Sequence, residues 1–231
     1  MPTIDKVAKK VFKDSFNTVR KEVKLTWVNK YKSYIIPRMG HFLHCTNLVK
    51  DIPGAIAEAG VRGGESLATI ALLNEVIAPG RKIMALDSFL GFPPDAMNDG
   101  IAMPGTPTIS AEMAIENVKT TLKLSGLNQK RIDDVVFIQG YFEDSLKNYD
   151  QGPIALLHID VDLGKSYTEV LEALYPSVQT GGVITFDEYD APKDLEKWPE
   201  AKPAIDDFFN DKKFEVVSPG YIQKYAIRKL D

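Results

Sequence analysis

The sequence contains few of the features that mark secreted or membrane proteins. Its single cysteine, Cys45, excludes an internal disulfide and is typical of a reducing compartment. The first residues lack the apolar core of a signal peptide. No apolar run approaches the roughly 20 residues that span a bilayer. We therefore expect a cytoplasmic protein without a membrane partner.

A strong excess of positive charge is also missing. The chain has 28 Lys and Arg against 32 Asp and Glu, a formal net charge of −4. Binding along a phosphate backbone needs a basic face, so we expect no nucleic-acid partner. A basic run does lie between Lys9 and Lys24, within a segment of helical spacing. We interpret it as the solvated face of a helix.

Short apolar strands alternate with helices along most of the chain. Helices are predicted at residues 67–77, 110–125, 166–175 and 201–209. Strands are predicted at residues 55–59, 82–86 and 135–138, on either side of the helix at 166–175, and at 214–217 and 225–228. This alternation predicts an α/β fold with a Rossmann-like, doubly wound, mostly parallel seven-stranded sheet. The Pro-Gly turn at residues 219–220 predicts a terminal antiparallel hairpin.

Two segments fall outside the alternation. Residues 4–36 and 39–49 have helical spacing, so we divide the chain into an N-terminal helical arm, 1–50, and a main domain, 51–231. Residues 91–108 are rich in Pro and Gly and follow the second strand. A long loop in that place is typical of a lid over a binding site.

The central stretch, residues 156–189, carries acidic residues at the ends of two strands. Asp160 and Asp162 follow the first strand, and Asp187 and Glu188 follow the second. A helix between parallel strands brings both acidic ends to the same edge of the sheet. Four carboxylates there would repel one another unless a cation lay between them. Oxygen ligands alone favour magnesium, calcium or manganese over zinc.

A glycine-rich turn, EAGVRGGES at residues 58–66, joins the first strand to the first helix. Gly60 and Gly63 allow close approach of a ligand, whereas the G-x-G-x-x-G and P-loop patterns are absent. Glu58 disfavours a phosphate and favours an ammonium group. Asp87 ends the next strand, where an acid can accept ribose hydroxyls. Together they indicate a pocket for a ribose-bearing cofactor without phosphates, such as S-adenosylmethionine.

Four motifs in this order carry a family resemblance. They are EAGVRGGES at 58–66, LDSFLGFP at 86–93, QGYFEDSL at 139–146, and HIDVDLGKS at 158–166 with FDEY at 186–189. The chain resembles the class I S-adenosylmethionine-dependent methyltransferases. Within them it resembles the macrocin O-methyltransferase family, metal-dependent enzymes that methylate sugar hydroxyls of antibiotics and related glycosides. The resemblance runs from about residue 39 to residue 209.

The resemblance implies roles for specific residues. Those implied for the cofactor are Gly60, Gly63 and Ser66 at its methionine part, Glu58 near its ammonium, Asp87 at the ribose, Ser88 against the adenine, and Gly140, Tyr141 and Phe142 as the wall of the adenine site. The implied metal ligands are Asp160, Asp187 and Glu188, with Asp162 as the general base. The chain departs from the family's usual D-G-D-L-Y-E-S at Gly164 and Lys165. It also has Asp187-Glu188 in place of two aspartates, and Glu still ligates magnesium.

These observations predict an S-adenosylmethionine- and Mg²⁺-dependent O-methyltransferase. The expected acceptor is a small molecule with a free hydroxyl, a sugar, a glycoside or a related compound, and a homo-oligomer is left open. A catechol-type O-methyltransferase is the nearest alternative because it shares the metal and the fold. The D-x-D formed by residues 160–162 leaves open a nucleotide-sugar glycosyltransferase. A cofactor-binding protein without catalysis is a third alternative.

Overall fold

The structure, a computed structural model, describes residues 35–94, 96, 109–220 and 224–231. The chain divides into two units, residues 1–40 and 41–231, and the account below concerns the second. The predicted arm helix at 4–36 and most of the predicted lid at 91–108 lie outside the described residues, so both stay predictions.

Seven strands form one sheet. Five of them, β1 to β5, pair in parallel, while β7 lies antiparallel between β5 and β6. The spatial order is β3-β2-β1-β4-β5-β7-β6, and the order reverses between β1 and β4. The strands are β1 (Ala55–Ala59), β2 (Ile83–Asp87), β3 (Val136–Gln139), β4 (Ile154–Ile159), β5 (Val178–Phe186), β6 (Phe214–Val216) and β7 (Tyr225–Lys229). The predicted sheet and terminal hairpin are confirmed.

Helices cover both faces of this sheet. They are α1 (Ile36–Leu48), α2 (Glu65–Ile77), α3 (Ala111–Leu124), α4 (Gln129–Asp133), α5 (Phe142–Ser145), α6 (Gly164–Leu174), α7 (Pro192–Lys197) and α8 (Ala201–Phe209). Helices α6 and α8 pack on one face, and α2 and α3 pack on the other with the carboxyl half of α1. A mostly parallel sheet needs cover on both faces, which explains why all six residues of β4 are buried.

Three short helices, α4, α5 and α7, lie in segments where the sequence predicts no helix. Each has four to six residues, too few for an apolar repeat of 3.6 residues to emerge. Local capping explains one of them: the Asn128 side chain accepts a hydrogen bond from the Arg131 N–H at 3.0 Å. Helix α5 begins just beyond β3, and its position matters for the site described next.

Candidate active site

The functional edge of the sheet is where β1, β2, β4 and β5 end. The backbone ladder continues one residue past β1, β4 and β5. The N–H of Gly60 donates to the Leu86 carbonyl, that of Asp160 to Ala59, and that of Asp187 to Ile159, each at 2.9 Å. These bonds hold the first residue after each strand at one level, so the predicted site residues meet at a single edge.

Four carboxylates gather beyond β4 and β5, and we call them the acidic cluster: Asp160, Asp162, Asp187 and Glu188. Oxygens of Asp160, Asp162 and Glu188 lie within 4.8 Å of one another. A second group within the same distance combines Asp160 and Asp187 with a ring nitrogen of His158. Asp160 belongs to both groups. Neither group holds the predicted ligands Asp160, Asp187 and Glu188 together, so that ligand set stays a prediction. His158 is an addition that the sequence does not predict.

Glu188 is the most deeply buried member of the cluster, with 3% of its surface exposed. The Tyr167 hydroxyl, from α6, donates to its Oε2 at 2.7 Å. Burial, followed by the negative charges of Asp160, Asp187 and Asp162, raises the pKa of Glu188 to about 10. Without a cation in the cluster, this carboxyl therefore keeps its proton at neutral pH.

Asp162 has an unusual backbone. Its φ is 63°, and the Leu163 N–H donates to the Val161 carbonyl at 2.6 Å across it. A three-residue turn with positive φ at its centre is rare and strained, and such strain is found at functional positions. Burial raises the pKa of Asp162 to about 6, with Lys197 opposing and the charge of Asp187 adding to the rise. A carboxyl with that pKa is half ionised near pH 6 and can take up a proton.

The other half of the edge is built around Asp87 at the end of β2. Its Oδ2 accepts hydrogen bonds from the N–H groups of Val61 at 2.7 Å and Arg62 at 3.0 Å. Its Oδ1 accepts one from the Phe89 N–H at 2.8 Å. Asp87 thus holds the glycine-rich turn against β2. The Ser88 hydroxyl also lies 3.4 Å from Oδ1, but its single proton is directed to the Gly91 carbonyl at 2.6 Å. A carboxylate offers about four acceptor positions, so capacity for one further donor is left.

Gly60 and Gly63 lie in that turn. A Cβ on Gly60 would overlap the carbonyl oxygen of Asp160, and Gly60 has a φ of 83°. Gly60 therefore allows β1 and β4 to end side by side. At Gly63, a Cβ would meet only the flexible side chain of Glu65, so this position has room for a small change.

The remaining predicted cofactor residues surround Asp87 or begin helices near it. The Gly140 N–H donates to the Asp87 carbonyl at 3.0 Å, and Tyr141 and Phe142 follow at the start of α5. The Ser88 hydroxyl donates to the Gly91 carbonyl at 2.6 Å and is 7% exposed. Ser66 is half-buried in the first turn of α2.

Glu58 lies inside β1 and is 1% exposed. Its register partners are Ala85 in β2 and His158 in β4. The Nε2 of His158 is 3.6 Å from Glu58 Oε1 and 4.0 Å from Asp160 Oδ2. His158 therefore lies between the two halves of the edge, and its Nε2 has one carboxylate of each half within 4.0 Å.

Sequence reasoning also missed Lys224 and Tyr167, which contact the acidic cluster. The Nζ of Lys224 lies 2.7 Å from Asp187 Oδ2. No local sequence pattern distinguishes Lys224 from the other lysines of the chain. The antiparallel register of β5 and β7 brings Lys224 to the acidic cluster. Tyr167 occupies an apolar position of α6, so it is typical of core packing.

Among the described residues, no helix combines the length and the apolar character needed to cross a membrane.

Comparison with known proteins gives consistent matches. The model of the family described as macrocin O-methyltransferase (TylF) matches residues 6–217. The 8-demethyl-8-(2,3-dimethoxy-alpha-L-rhamnosyl)-tetracenomycin-C 4'-O-methyltransferase of Streptomyces olivaceus is 31% identical over 169 residues. That match covers 69% of this chain and 63% of the relative, somewhat less than two thirds of its length. Demethyldecarbamoylnovobiocin O-methyltransferase of Streptomyces niveus is 29% identical over 207 residues, 83% of this chain and 74% of the relative.

Solved structures agree on the fold. The crystal structure of the calicheamicin methyltransferase CalS11 superposes with a TM-score of 0.64 at 27% identity, covering 84% of this chain and 79% of that one. The O-methyltransferase NovP gives a TM-score of 0.63 at 24% identity, with 85% and 81% covered. At 24% identity the likeness to NovP is evidence for the fold alone.

Proposed function

This chain belongs to the macrocin O-methyltransferase family, and on that premise we propose that it transfers a methyl group from S-adenosylmethionine to a hydroxyl of a sugar-containing small molecule, with a divalent cation. The observation that carries the proposal is the meeting of two different sites at one edge of the sheet. A glycine-rich turn organised by Asp87 adjoins an acidic cluster around Asp160.

The names of the relatives support the proposed acceptor class. One is named for a rhamnosyl tetracenomycin, another as an O-methyltransferase of demethyldecarbamoylnovobiocin, and a third, from Micromonospora griseorubida, as mycinamicin III 3''-O-methyltransferase. A product of the same kind, an O-methylated glycoside of natural product biosynthesis, is the proposal for this chain.

The proposed cofactor site uses the half of the edge at β1 and β2. The close approach allowed at Gly60, together with the N–H of Gly63 and the first turn of α2, would receive the methionine part, with Ser66 beside them. The acceptor position left on Asp87 suits a ribose hydroxyl, and Gly140 and Tyr141 adjoin it. S-adenosylmethionine supplies an electrophilic methyl group on a sulfonium.

The acidic cluster fits a hard divalent cation. Its donors are carboxylate oxygens, the ligands that Mg²⁺ and Mn²⁺ prefer. Burial, followed by the charges of three neighbouring acids, raises the pKa of Glu188, so a cation beside it would favour its ionised form. Asp160, Asp187 and Glu188 are the proposed ligands. A cation held there would lower the pKa of an acceptor hydroxyl and help to orient it.

Asp162 is the proposed general base. Its carboxyl has a pKa near 6, so it is mostly ionised at neutral pH and can still receive a proton from the acceptor hydroxyl. The strained turn at Asp162 places it within 4.8 Å of Asp160 and Glu188. The protein's own contribution is then to fix the acceptor oxygen in line with the methyl group.

The decisive test is calorimetric titration of the purified protein with S-adenosylmethionine. NAD and a nucleotide-sugar serve as control ligands. We expect binding of S-adenosylmethionine alone, followed by Mg²⁺-dependent methylation of a hydroxylated glycoside. Binding of the nucleotide-sugar instead would overturn the proposal in favour of a glycosyltransferase. Binding of no cofactor by the folded protein would remove the roles given to the glycine-rich turn and Asp87.

A further inference from the structure

Lys224 reaches the acidic cluster because of the strand order. It directly precedes β7, which pairs antiparallel with β5 in the register Phe186↔Tyr225. Continuing that register by one residue sets Lys224 opposite Asp187. Opposite charges in such cross-strand positions attract each other.

The contact is close and largely shielded from water. The Nζ of Lys224 lies 2.7 Å from Asp187 Oδ2 and also donates to the backbone carbonyl of Asp187. The two side chains are 11% and 14% exposed. An ammonium taken this far out of water persists only when it is paired, so the pair is part of the folded structure.

Asp187 is at the same time one of the three residues proposed to hold the divalent cation. Its carboxylate shares a group with Asp160 and His158 whose ligand atoms all lie within 4.8 Å. The ammonium of Lys224 and a divalent cation would therefore draw on the charge of one carboxylate. A fixed positive charge beside a cation site lowers the affinity of that site.

We propose that Lys224 is the built-in counter-cation of the acidic cluster. It stabilises the cluster when no metal is bound, and it holds the affinity for the divalent cation down, so that the metal exchanges without unfolding this edge. This inference rests on the divalent site of the proposed function, and Lys224 acts in it as a positioning residue through Asp187.

Lys224→Met is the direct test, since it removes the charge and keeps an aliphatic side chain. Binding of Mg²⁺ alone, measured by calorimetry on metal-free protein, should become tighter by on the order of tenfold. The melting temperature in chelator should fall, and the rise produced by Mg²⁺ should be larger than in the unmodified protein. Arg228→Met is the matched control, because it removes a positive charge from the adjoining strand β7, and the partner of that charge is Glu215. It should leave Mg²⁺ affinity unchanged.

Lys224→Arg keeps the charge and should bind Mg²⁺ as the unmodified protein does. If Lys224→Met folds poorly in chelator, the inference requires that Mg²⁺ restore its fold. Lys224→Gln, a second neutral variant, is measured in the same way. Equal or weaker Mg²⁺ binding by both neutral variants would overturn the inference while leaving the divalent site intact. Absence of Mg²⁺ binding in every form would overturn the divalent site as well, and the S-adenosylmethionine titration would still report on methyl transfer separately.

Discussion

The two halves of the functional edge treat negative charge in opposite ways. At β2, the single acid Asp87 accepts three backbone N–H groups between 2.7 and 3.0 Å, so its charge is satisfied by the fold itself. Beyond β4 and β5, four carboxylates crowd together, and the pKa of Glu188 rises to about 10. The charge of Asp87 is therefore balanced without a ligand. In the second half Lys224 supplies one positive charge, and the divalent cation of the proposed function would supply more.

This contrast explains what each half can do. A preorganised turn offers a fixed shape to a cofactor and costs little rearrangement on binding. A cluster with excess negative charge gains stability when a cation enters, so it is suited to reversible metal binding. The strained turn at Asp162, the proposed general base, lies in the second half.

The largest effect is expected from Asp162→Asn, which removes the proposed base from the acidic half. The turnover number should fall by about 10²–10⁴-fold, the range typical of a lost general base. Affinity for S-adenosylmethionine should stay unchanged, because the cofactor half is untouched. The measurements are initial methylation rates with saturating Mg²⁺ and a calorimetric titration. Full activity in this variant would assign the proton transfer to another group.

Asp87→Ala tests the half of the edge at β1 and β2. Three hydrogen bonds to a charged acceptor are lost, so the free energy of unfolding should drop by about 2–4 kcal/mol. The drop should be the same in Mg²⁺ and in chelator, as followed by denaturant unfolding. Asp133→Ala is the control, since its exposed carboxylate contacts only the Gln129 side chain among the described hydrogen bonds. That control should change stability by less than about 0.5 kcal/mol.

Glu188→Gln tests the acidic cluster through the pH dependence of stability. The pKa of Glu188 is raised from 4.5 in the unfolded chain to about 10 in the fold. Its contribution to stability is therefore present below pH 4.5 and is lost as the pH rises toward 10. In chelator, the unmodified protein should melt at lower temperature as the pH rises from 5 to 9. Gln cannot ionise, so the variant should show a flatter profile and melt about 2–5 °C higher at pH 8.

Addition of Mg²⁺ should remove most of this difference, because the ionised Glu188 then has a cation beside it. A steep pH dependence that persists in Glu188→Gln would mean that another group governs it. Together with the Asp87 variant, this result would show whether charge is balanced at β2 and unbalanced beyond β4 and β5.

Much of the fold could be predicted from local pattern. Strand β1 at Ala55–Ala59 and helix α8 at Ala201–Phe209 have the predicted bounds, because each has a clear apolar pattern. The short helices α4, α5 and α7 could not be predicted, since four to six residues carry no usable repeat.

The sequence predicted that acidic residues meet at one edge of the sheet, and it did not predict what surrounds them. The four acids of the cluster are together as expected from two strands that end at one edge. Glu58 is buried beside His158 because β1 pairs with β4. That pairing brings together two residues that lie a hundred positions apart in the chain. The roles assigned to individual cofactor residues stay predictions.

Gly164 illustrates a change that only packing explains. A Cβ there would lie 2.7 Å from the Glu200 carbonyl oxygen, so the segment before α8 approaches α6 more closely than any side chain would allow. The family's usual aromatic at this position would collide with that segment. The glycine at position 164 is therefore explained by the close approach of Glu200.

The sequence by itself determined that this chain forms a mostly parallel sheet with acids at the ends of two strands. The reason is that apolar periodicity and right-handed crossovers leave few arrangements open to such a pattern. The tertiary structure alone decided how those acids are charged. Tyr167 beneath Glu188, Lys224 against Asp187 and the backbone donors around Asp87 come from distant parts of the chain, and burial and register, which set their distances, are not written in any local stretch.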